Sequence, residues 1–197
     1  MKIFRYFILF LLFISCSKNS AEKDIVIKKI PKIYKNANDE NLKLKNDTLF
    51  VNHQLFSGFL YRLDENRNDT LSFESYYEGL QSGVSKKWFG NKNLMEMRFY
   101  FKGKKEGKQI AFWENGYKRF EFLAKNDIYE DEMKEWNNLG KLIHLATYKN
   151  GQEEGPQKLW YDNGKIRANY VIISGKRYGL LGTKNCKNVS DSVFTVR

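Results

Sequence analysis

The stretch GKKEGKQIAFWENGYKRFEFLA, residues 103–124, decides the fold, because its landmarks recur along the chain at one fixed step. Its opening glycine belongs to the series Gly79, Gly103, Asp127, Gly151 and Gly175, each 24 residues from the next. Its second glycine belongs to the series Gly83, Gly107, Asp131, Gly155 and Gly179, at the same step of 24. A large aromatic then follows in Trp88, Phe112, Trp136 and Trp160. Three registers that hold together in this way mean stacked copies of one supersecondary unit. Arrays of that kind favour extended recognition surfaces over an enzyme with one deep pocket.

Within a copy, the glycines and the ENG triplet punctuate two short runs of mixed aromatic and charged residues, which is the pattern of a β-hairpin. Asn115-Gly116 and Asn163-Gly164 are dipeptides that tolerate positive φ at both central positions, so they predict type I′ turns. Gly140 occupies the same place in the copy between them. No apolar series at helical spacing persists through a copy, and the punctuation arrives too often for a helix of ordinary length. The expected fold is therefore all-β: an elongated, single-layer antiparallel meander of repeated hairpins with a period of 24 residues.

Two strands per copy put equivalent residues about 10 Å apart, given a strand spacing of about 4.8 Å. Trp88, Phe112, Trp136 and Trp160 then form a ladder across one face, with Phe89, Trp113 and Tyr161 pointing to the other. Lys86, Lys134 and Lys158 run beside the ladder, with Ile110 breaking that series. The ladder reads either as cross-strand packing that holds the sheet together or as a ligand-binding stripe, and the lysines either as solubilising edge residues or as a basic row. These seven residues are the candidate binding face.

The third copy replaces both glycines with Asp127 and Asp131 and carries the cluster Glu130, Asp131, Glu132 and Glu135. Asp tolerates left-handed backbone, so turn chemistry accounts for the replacements. No His or Cys lies beside the carboxylates, and no calcium-loop spacing is present. Upstream, residues 49–79 read as a degenerate first copy in which Gly58 stands 25 residues before Gly83, the extra residue falling in the DENRNDT turn. Downstream, Gly175 and Gly179 open a fifth copy whose aromatic position is Lys184, and the final SVFTVR alternates like a closing strand.

These residues resemble the MORN-type repeat family, in the bacterial variant described as YwqK-type antitoxin. That pattern is a Tyr-x-x-Gly turn, a second glycine four residues on, an aromatic pair and an Asn-Gly turn. YKNGQEEGPQKLWYDNGK, residues 148–165, matches throughout, and YFKGKKEGKQIAFWENG, residues 100–116, nearly so. The first copy has Lys92 at the final turn glycine, and the third lacks both early glycines. The resemblance covers approximately residues 50–182. It implies a single elongated antiparallel sheet, and the antitoxin name implies an immunity protein that neutralises one cognate toxin.

Residues 1–16, MKIFRYFILFLLFISC, join a basic start to an apolar run too short to span a bilayer, which reads as a secretory signal. A small residue directly before Cys16 resembles the lipobox of bacterial lipoproteins, in which the cysteine is acylated after cleavage. Multiple acyl chains anchor stably where one does not. The expected organisation is a signal peptide at 1–15, a polar tether at 16–47 with a short strand at Ile25-Val26-Ile27, and a repeat domain at 48–197. The expected location is the bacterial cell envelope. Acylation of Cys16 leaves Cys186 as the only thiol, so no intrachain disulfide is expected.

The formal net charge of +11 falls to +9, with 32 basic against 23 acidic side chains, once Lys2 and Arg5 leave with the signal. A basic chain suits nucleic acid, acidic lipid or an acidic partner, and secretion argues against nucleic acid. His53 and His144 sit on different copies with different neighbours, and no nucleophile elbow, HExxH helix, phosphate loop or paired-cysteine site is present. No catalytic residue, metal or cofactor is expected. The expected function is a membrane-tethered, non-catalytic module that binds a protein or an envelope component, with an antitoxin and a lipid-surface or cell-wall binder as alternatives.

Overall fold

The computed structural model describes residues 18–66 and 69–182. It comprises one helix, α1 (Lys18–Lys29), and seventeen strands. The first seven strands are β1 (Tyr34–Asn36), β2 (Leu42–Lys45), β3 (Thr48–Val51), β4 (Gln54–Leu55), β5 (Gly58–Leu63), β6 (Thr70–Tyr77) and β7 (Leu80–Gln81). Next come β8 (Gly83–Trp88), β9 (Leu94–Phe101), β10 (Lys104–Lys105), β11 (Gly107–Phe112) and β12 (Lys118–Lys125). The series ends with β13 (Ile128–Trp136), β14 (Leu142–Lys149), β15 (Gln152–Trp160), β16 (Ile166–Ile173) and β17 (Lys176–Leu180). From β5 onward the strands of the main sheet follow as neighbours in chain order, except that the two-residue β7 and β10 pair off this path with β6 and β9, and the order does not close into a barrel. The all-β meander is the observed fold. β1 pairs with β5 in parallel, and β2, β3 and β4 form a separate small sheet.

Two compact units divide the chain, one of residues 1–84 and 100–104 and one of residues 85–99 and 105–197. The first departs from expectation. Where a solvated tether was expected, residues 18–29 form α1, and β1 and β2 follow before residue 48. The β-branched Ile25-Val26-Ile27 lies inside α1 rather than in a strand. Val26 and Ile30, four residues apart and on one side of the turn, are both buried, and burial of such a pair outweighs intrinsic propensity in a short helix. Lys28 and Lys29 in its last turn suit the negative end of the dipole. Leu49, Phe56 and Tyr76 pack together beneath β3 and β6. Six residues separate Leu63 from its partner Thr70, against five between Phe112 and Lys118, so the additional residue of the first copy does sit in that turn.

The two kinds of turn exchange the roles read from the sequence. The type I′ turns are the dipeptides at the opening glycine: Lys102-Gly103 has φ values of 49° and 80°, Asn126-Asp127 53° and 70°, and Asn150-Gly151 52° and 79°. Asn115-Gly116 and Asn163-Gly164 are not of this type, because only the glycines, at 89° and 83°, have positive φ. Here Gly116 N–H donates to Trp113 O at 2.9 Å and Trp113 N–H to Tyr117 O at 2.8 Å. That is a three-residue loop closed by a left-handed residue. Asn115 contributes its side chain instead, its Oδ1 accepting from Tyr117 N–H at 3.2 Å. Gly79, Gly83, Gly103, Gly107, Gly140, Gly151, Gly155, Gly175 and Gly179 all have positive φ, as do Lys92, Asp127 and Asp131 in the equivalent places.

A two-residue hairpin loop leaves both central N–H groups outside the strand ladder. Each copy here donates them to the copy before. Gly103 N–H reaches Gln81 O at 2.8 Å, Asp127 reaches Lys105 O at 3.0 Å, and Gly151 reaches Tyr129 O at 2.9 Å. The first central residue donates to a side chain: Asn126 N–H to Glu106 at 2.9 Å, Asn150 to Glu130 at 3.0 Å and Ser174 to Glu154 at 3.1 Å. Ser82 serves Lys102 at 3.2 Å and Ser57 serves Glu78 at 2.8 Å in the same way. Glu106, Glu130 and Glu154 thus form a further register of 24 residues.

In the second unit one face of the sheet is closely packed. Gln109, Met133 and Gln157 occupy one repeat position, and Ala146 lies opposite both Met133 and Gln157. Gln157 donates to Thr147 O at 2.9 Å, where the ladder of β14 and β15 shifts register, and Gln109 donates to Phe99 O at 2.9 Å. Rings join across the strands: Phe120 to Phe122 at 5.9 Å, Phe122 to Tyr129 at 4.5 Å and Tyr129 to Tyr148 at 5.1 Å. The Arg98 guanidinium lies 4.9 Å from the Phe120 ring.

These turns give two stability predictions, both read from urea midpoints. Gly164→Val meets no atom within 4 Å, so its loss of about 1–2 kcal/mol is backbone strain alone. Gly151→Val loses more, since its Cβ also meets Ile128 Cγ2 at 2.8 Å, and Asp131→Gly is neutral or stabilising. Glu130→Ala removes one link between copies and lowers stability by about 0.5–1.5 kcal/mol. An unchanged midpoint in Gly164→Val would remove the left-handed turn from the account.

Candidate binding face

Lys86, Lys134 and Lys158 stand two residues before Trp88, Trp136 and Trp160 on β8, β13 and β15, and Ile110 likewise before Phe112 on β11. Side chains two apart on a strand share a face. All eight lie in the second unit. Cross-strand register carries the inner row over the sheet: Ile110 opposite Glu121, Glu121 opposite Lys134, Lys134 opposite Leu145, Leu145 opposite Lys158, and Lys158 opposite Asn169. The outer row runs along the turns, with Phe112 opposite Lys118, Trp136 opposite Leu142 and Trp160 opposite Ile166. Trp88, Phe112, Trp136 and Trp160 each end a strand and each is half-buried.

The row is not uniformly basic. Lys134 Nζ is 2.7 Å from Glu132, and its pKa is raised by the hydrogen bond and charge of Glu132 and by the charge of Glu121. Glu121 is itself shared, 2.8 Å from Lys118 and 3.3 Å from Lys108. Burial pushes its pKa up, but the two lysines outweigh that and hold the carboxyl below its usual range. The Lys118 ammonium lies 5.4 Å from the Trp136 ring. Trp113 and Tyr161, expected on the opposite face, lie one residue beyond the ends of β11 and β15. There Trp113 Nε1 donates to Trp136 O at 2.9 Å, under the Arg119 guanidinium at 4.9 Å. This ties one copy's turn to the next copy's aromatic, and Asn115 Nδ2 does the same with Asn138 O at 2.6 Å.

The acidic cluster of the third copy is dispersed among separate tasks. Glu130 holds the Asn150 turn, Asp131 has a φ of 58°, Glu132 pairs with Lys134, and Glu135 lies 3.3 Å from His144 Nδ1. Among the described residues no group of three or more His, Cys, Asp and Glu is placed to hold a metal ion. His53 is exposed in the Asn52-His53 turn. Cys16, the signal peptide, Cys186, Lys184 and the SVFTVR run lie outside the described residues. No described helix is long and apolar enough to cross a membrane, which says nothing of a membrane β-barrel.

Sequence reading missed two features of this unit. The Glu106, Glu130 and Glu154 series was visible as a glutamate immediately before Gly107, Asp131 and Gly155. It was hidden because Glu130 also belongs to a local acidic cluster. The buried Gln109 and Gln157 are 48 residues apart, two copies, with Met133 between them, and polar residues are not ordinarily sought in a core. No family model matches the sequence, and none of the curated proteins compared with it is similar to it.

Glu96 repeats the electrostatics of Glu121, its carboxyl held low by Lys87 at 3.0 Å and Arg98 at 3.2 Å against the upward push of burial. A carboxylate whose folded pKa lies below its unfolded value stabilises the fold above the unfolded pKa. That contribution is lost as pH falls through the folded one. Thermal midpoints measured downward from the ordinary glutamate value of 4.5 are therefore expected to fall, and Glu121→Gln to fall less steeply. A variant with the parent's acid slope would show that Glu121 is not held in this way.

Proposed function

We propose that this chain is a non-catalytic β-repeat module that binds a protein of the bacterial envelope through the face bearing Trp88, Phe112, Trp136 and Trp160, and that acylated Cys16 holds it at the membrane. The observation that carries the reading is the arrangement of the face. Half-buried aromatics recur there beside Lys86, Lys134 and Lys158, fixed by register, with no convergent set of catalytic groups among them. Interface anchors have this character: large aromatic side chains, partly enclosed, with charged neighbours at their rims. The resemblance of residues 50–182 to the MORN-type repeat and YwqK-type antitoxin family supports a binding role over an enzymatic one. The lipobox-like Ser15-Cys16 after an apolar run supports anchoring.

The test is capture of envelope proteins by the tagged full chain, with Trp88→Ala, Trp136→Ala and Trp160→Ala compared one at a time. Replacement of an anchor is expected to weaken capture by about 2 kcal/mol, and Lys86→Ala by much less. Thermal midpoints must first show that each variant is folded, since the same side chains hold strand ends. Full capture by all three folded variants would move binding off this face. In parallel, Cys16→Ser is expected to abolish acyl labelling and to release the protein from membranes, and unchanged labelling would end the anchoring reading.

A further inference from the structure

The fourth copy differs from the third at the positions that decide charge. Lys134 has Glu132 two residues before it and Glu121 opposite it. At the same places around Lys158 stand Pro156 and Leu145, and Asn169 lies opposite on the other side. Arg167 lies on β16 between Ile166, the partner of Trp160, and Ala168, the partner of Leu159, where the register shifts. Among the described residues the side chains of Lys158 and Arg167 have no hydrogen-bond or ion-pair partner. Trp160 is half-buried, while Tyr161 and Ile166 are 42% and 53% exposed. A tryptophan, a tyrosine and an arginine at neighbouring positions of one strand pair have the composition of an interface hot spot.

The carboxylates of the same unit are mostly used within the fold. Glu96, Glu121, Glu132 and Glu153 are in ion pairs, and Glu135 meets His144. Glu106, Glu130 and Glu154 accept from turn amides, Asp127 accepts from Lys105 N–H, and Asp162 from Asn137 Nδ2. Lys158 and Arg167 therefore offer a partner unpaired positive charge on the strand pair that carries Trp160 and the exposed Ile166. Complementary charge across an interface favours the matching partner and penalises like charge.

We propose that Lys158, Trp160 and Arg167 are the anchor for an acidic segment of a protein partner, with the two cations meeting its carboxylates and the indole the methylene stems of the same acidic side chains. This deepens the binding-face reading and rests on it. The probe is fluorescein-labelled poly-L-glutamate, titrated by anisotropy at low salt against the full chain carrying Cys16→Ser, so that no acyl chain competes. Lys158→Gln with Arg167→Gln is expected to weaken binding about tenfold or more. Lys125→Gln with Lys149→Gln, an equal change of charge at the type I′ turns, is expected to change it less than about twofold. Trp160→Ala is expected to weaken binding and Trp160→Phe to preserve it.

Equal losses from the two double variants would reduce the effect to net charge and overturn the proposal. So would the absence of binding, or preferential binding to phosphatidylglycerol vesicles with the same residue dependence, which would make the occupant a lipid surface. Uncharged glutamine variants remove the charge without reversing it, and matching thermal midpoints admit them to the comparison. Envelope-protein capture separates this claim from the broader one. Loss of capture in Trp88→Ala or Trp136→Ala, with full capture by the Lys158→Gln, Arg167→Gln variant, would overturn this anchor and leave the face reading standing.

Discussion

The amides at the centre of each type I′ turn impose the constraint on which the repeat depends. A two-residue loop is the tightest way to join antiparallel strands, but it turns two N–H groups away from the ladder. Here the preceding copy accepts both, one on a backbone carbonyl and one on a glutamate or serine side chain. That geometry requires left-handed backbone at both central positions, and so confines them to Gly, Asn, Asp and a few tolerated others. It also fixes the spacing of successive copies. A different number of residues between turns would carry the acceptor away from the donor, so the step of 24 follows from hydrogen bonding as much as from strand length.

A fixed step has consequences for the faces. Side chains in a strand alternate, and a register slip of one residue would move every one of them to the other side. Locking the turns therefore places Phe112, Trp136 and Trp160 together, and Gln109, Met133 and Gln157 together on the opposite face. The packed face holds with little volume. Alanines leave room for the rings running from Phe120 to Tyr148, and glutamine amides take up carbonyls where bulges interrupt the ladder. A buried carbonyl left without a donor costs free energy comparable to a lost hydrogen bond, so these glutamines belong to the backbone's hydrogen bonding more than to a polar site.

Fold class was legible because periodicity is a global signal: Gly103, Gly107 and Phe112 recur whatever each copy's local preference. The turn type was not, because Asn-Gly is permitted in both kinds of loop. What separates Asn115-Gly116 from Asn150-Gly151 is the length of the loop, three residues between Trp113 and Tyr117 against two between Lys149 and Gln152, and no dipeptide carries that number. The helix at the start failed for the opposite reason. Ile25-Val26-Ile27 has strand propensity, and only contact with the rest of its unit shows that Val26 and Ile30 are the residues to bury. For the face, positions were legible and charges were not. Lys134 and Lys158 are equivalent in sequence; Glu132 and Pro156 lie beside them on their own strands, but Glu121 and Asn169 lie across strands.

In such an array the residues that hold one copy to the next repeat by necessity, and they are occupied in doing so. A glutamate that accepts from a turn amide is not available to a partner, and a lysine paired with a neighbouring carboxylate must lose that pair before it can form another. Unpaired charge is therefore to be sought where the copies differ from one another. Around Lys134 stand Glu132 on its own strand and Glu121 opposite, and at the same places around Lys158 stand Pro156 and Leu145. The backbone of the two is nearly the same, yet one presents a neutralised row and the other an unpaired cation beside Trp160. Repetition builds the frame, and departures from it give each part of the face its chemistry.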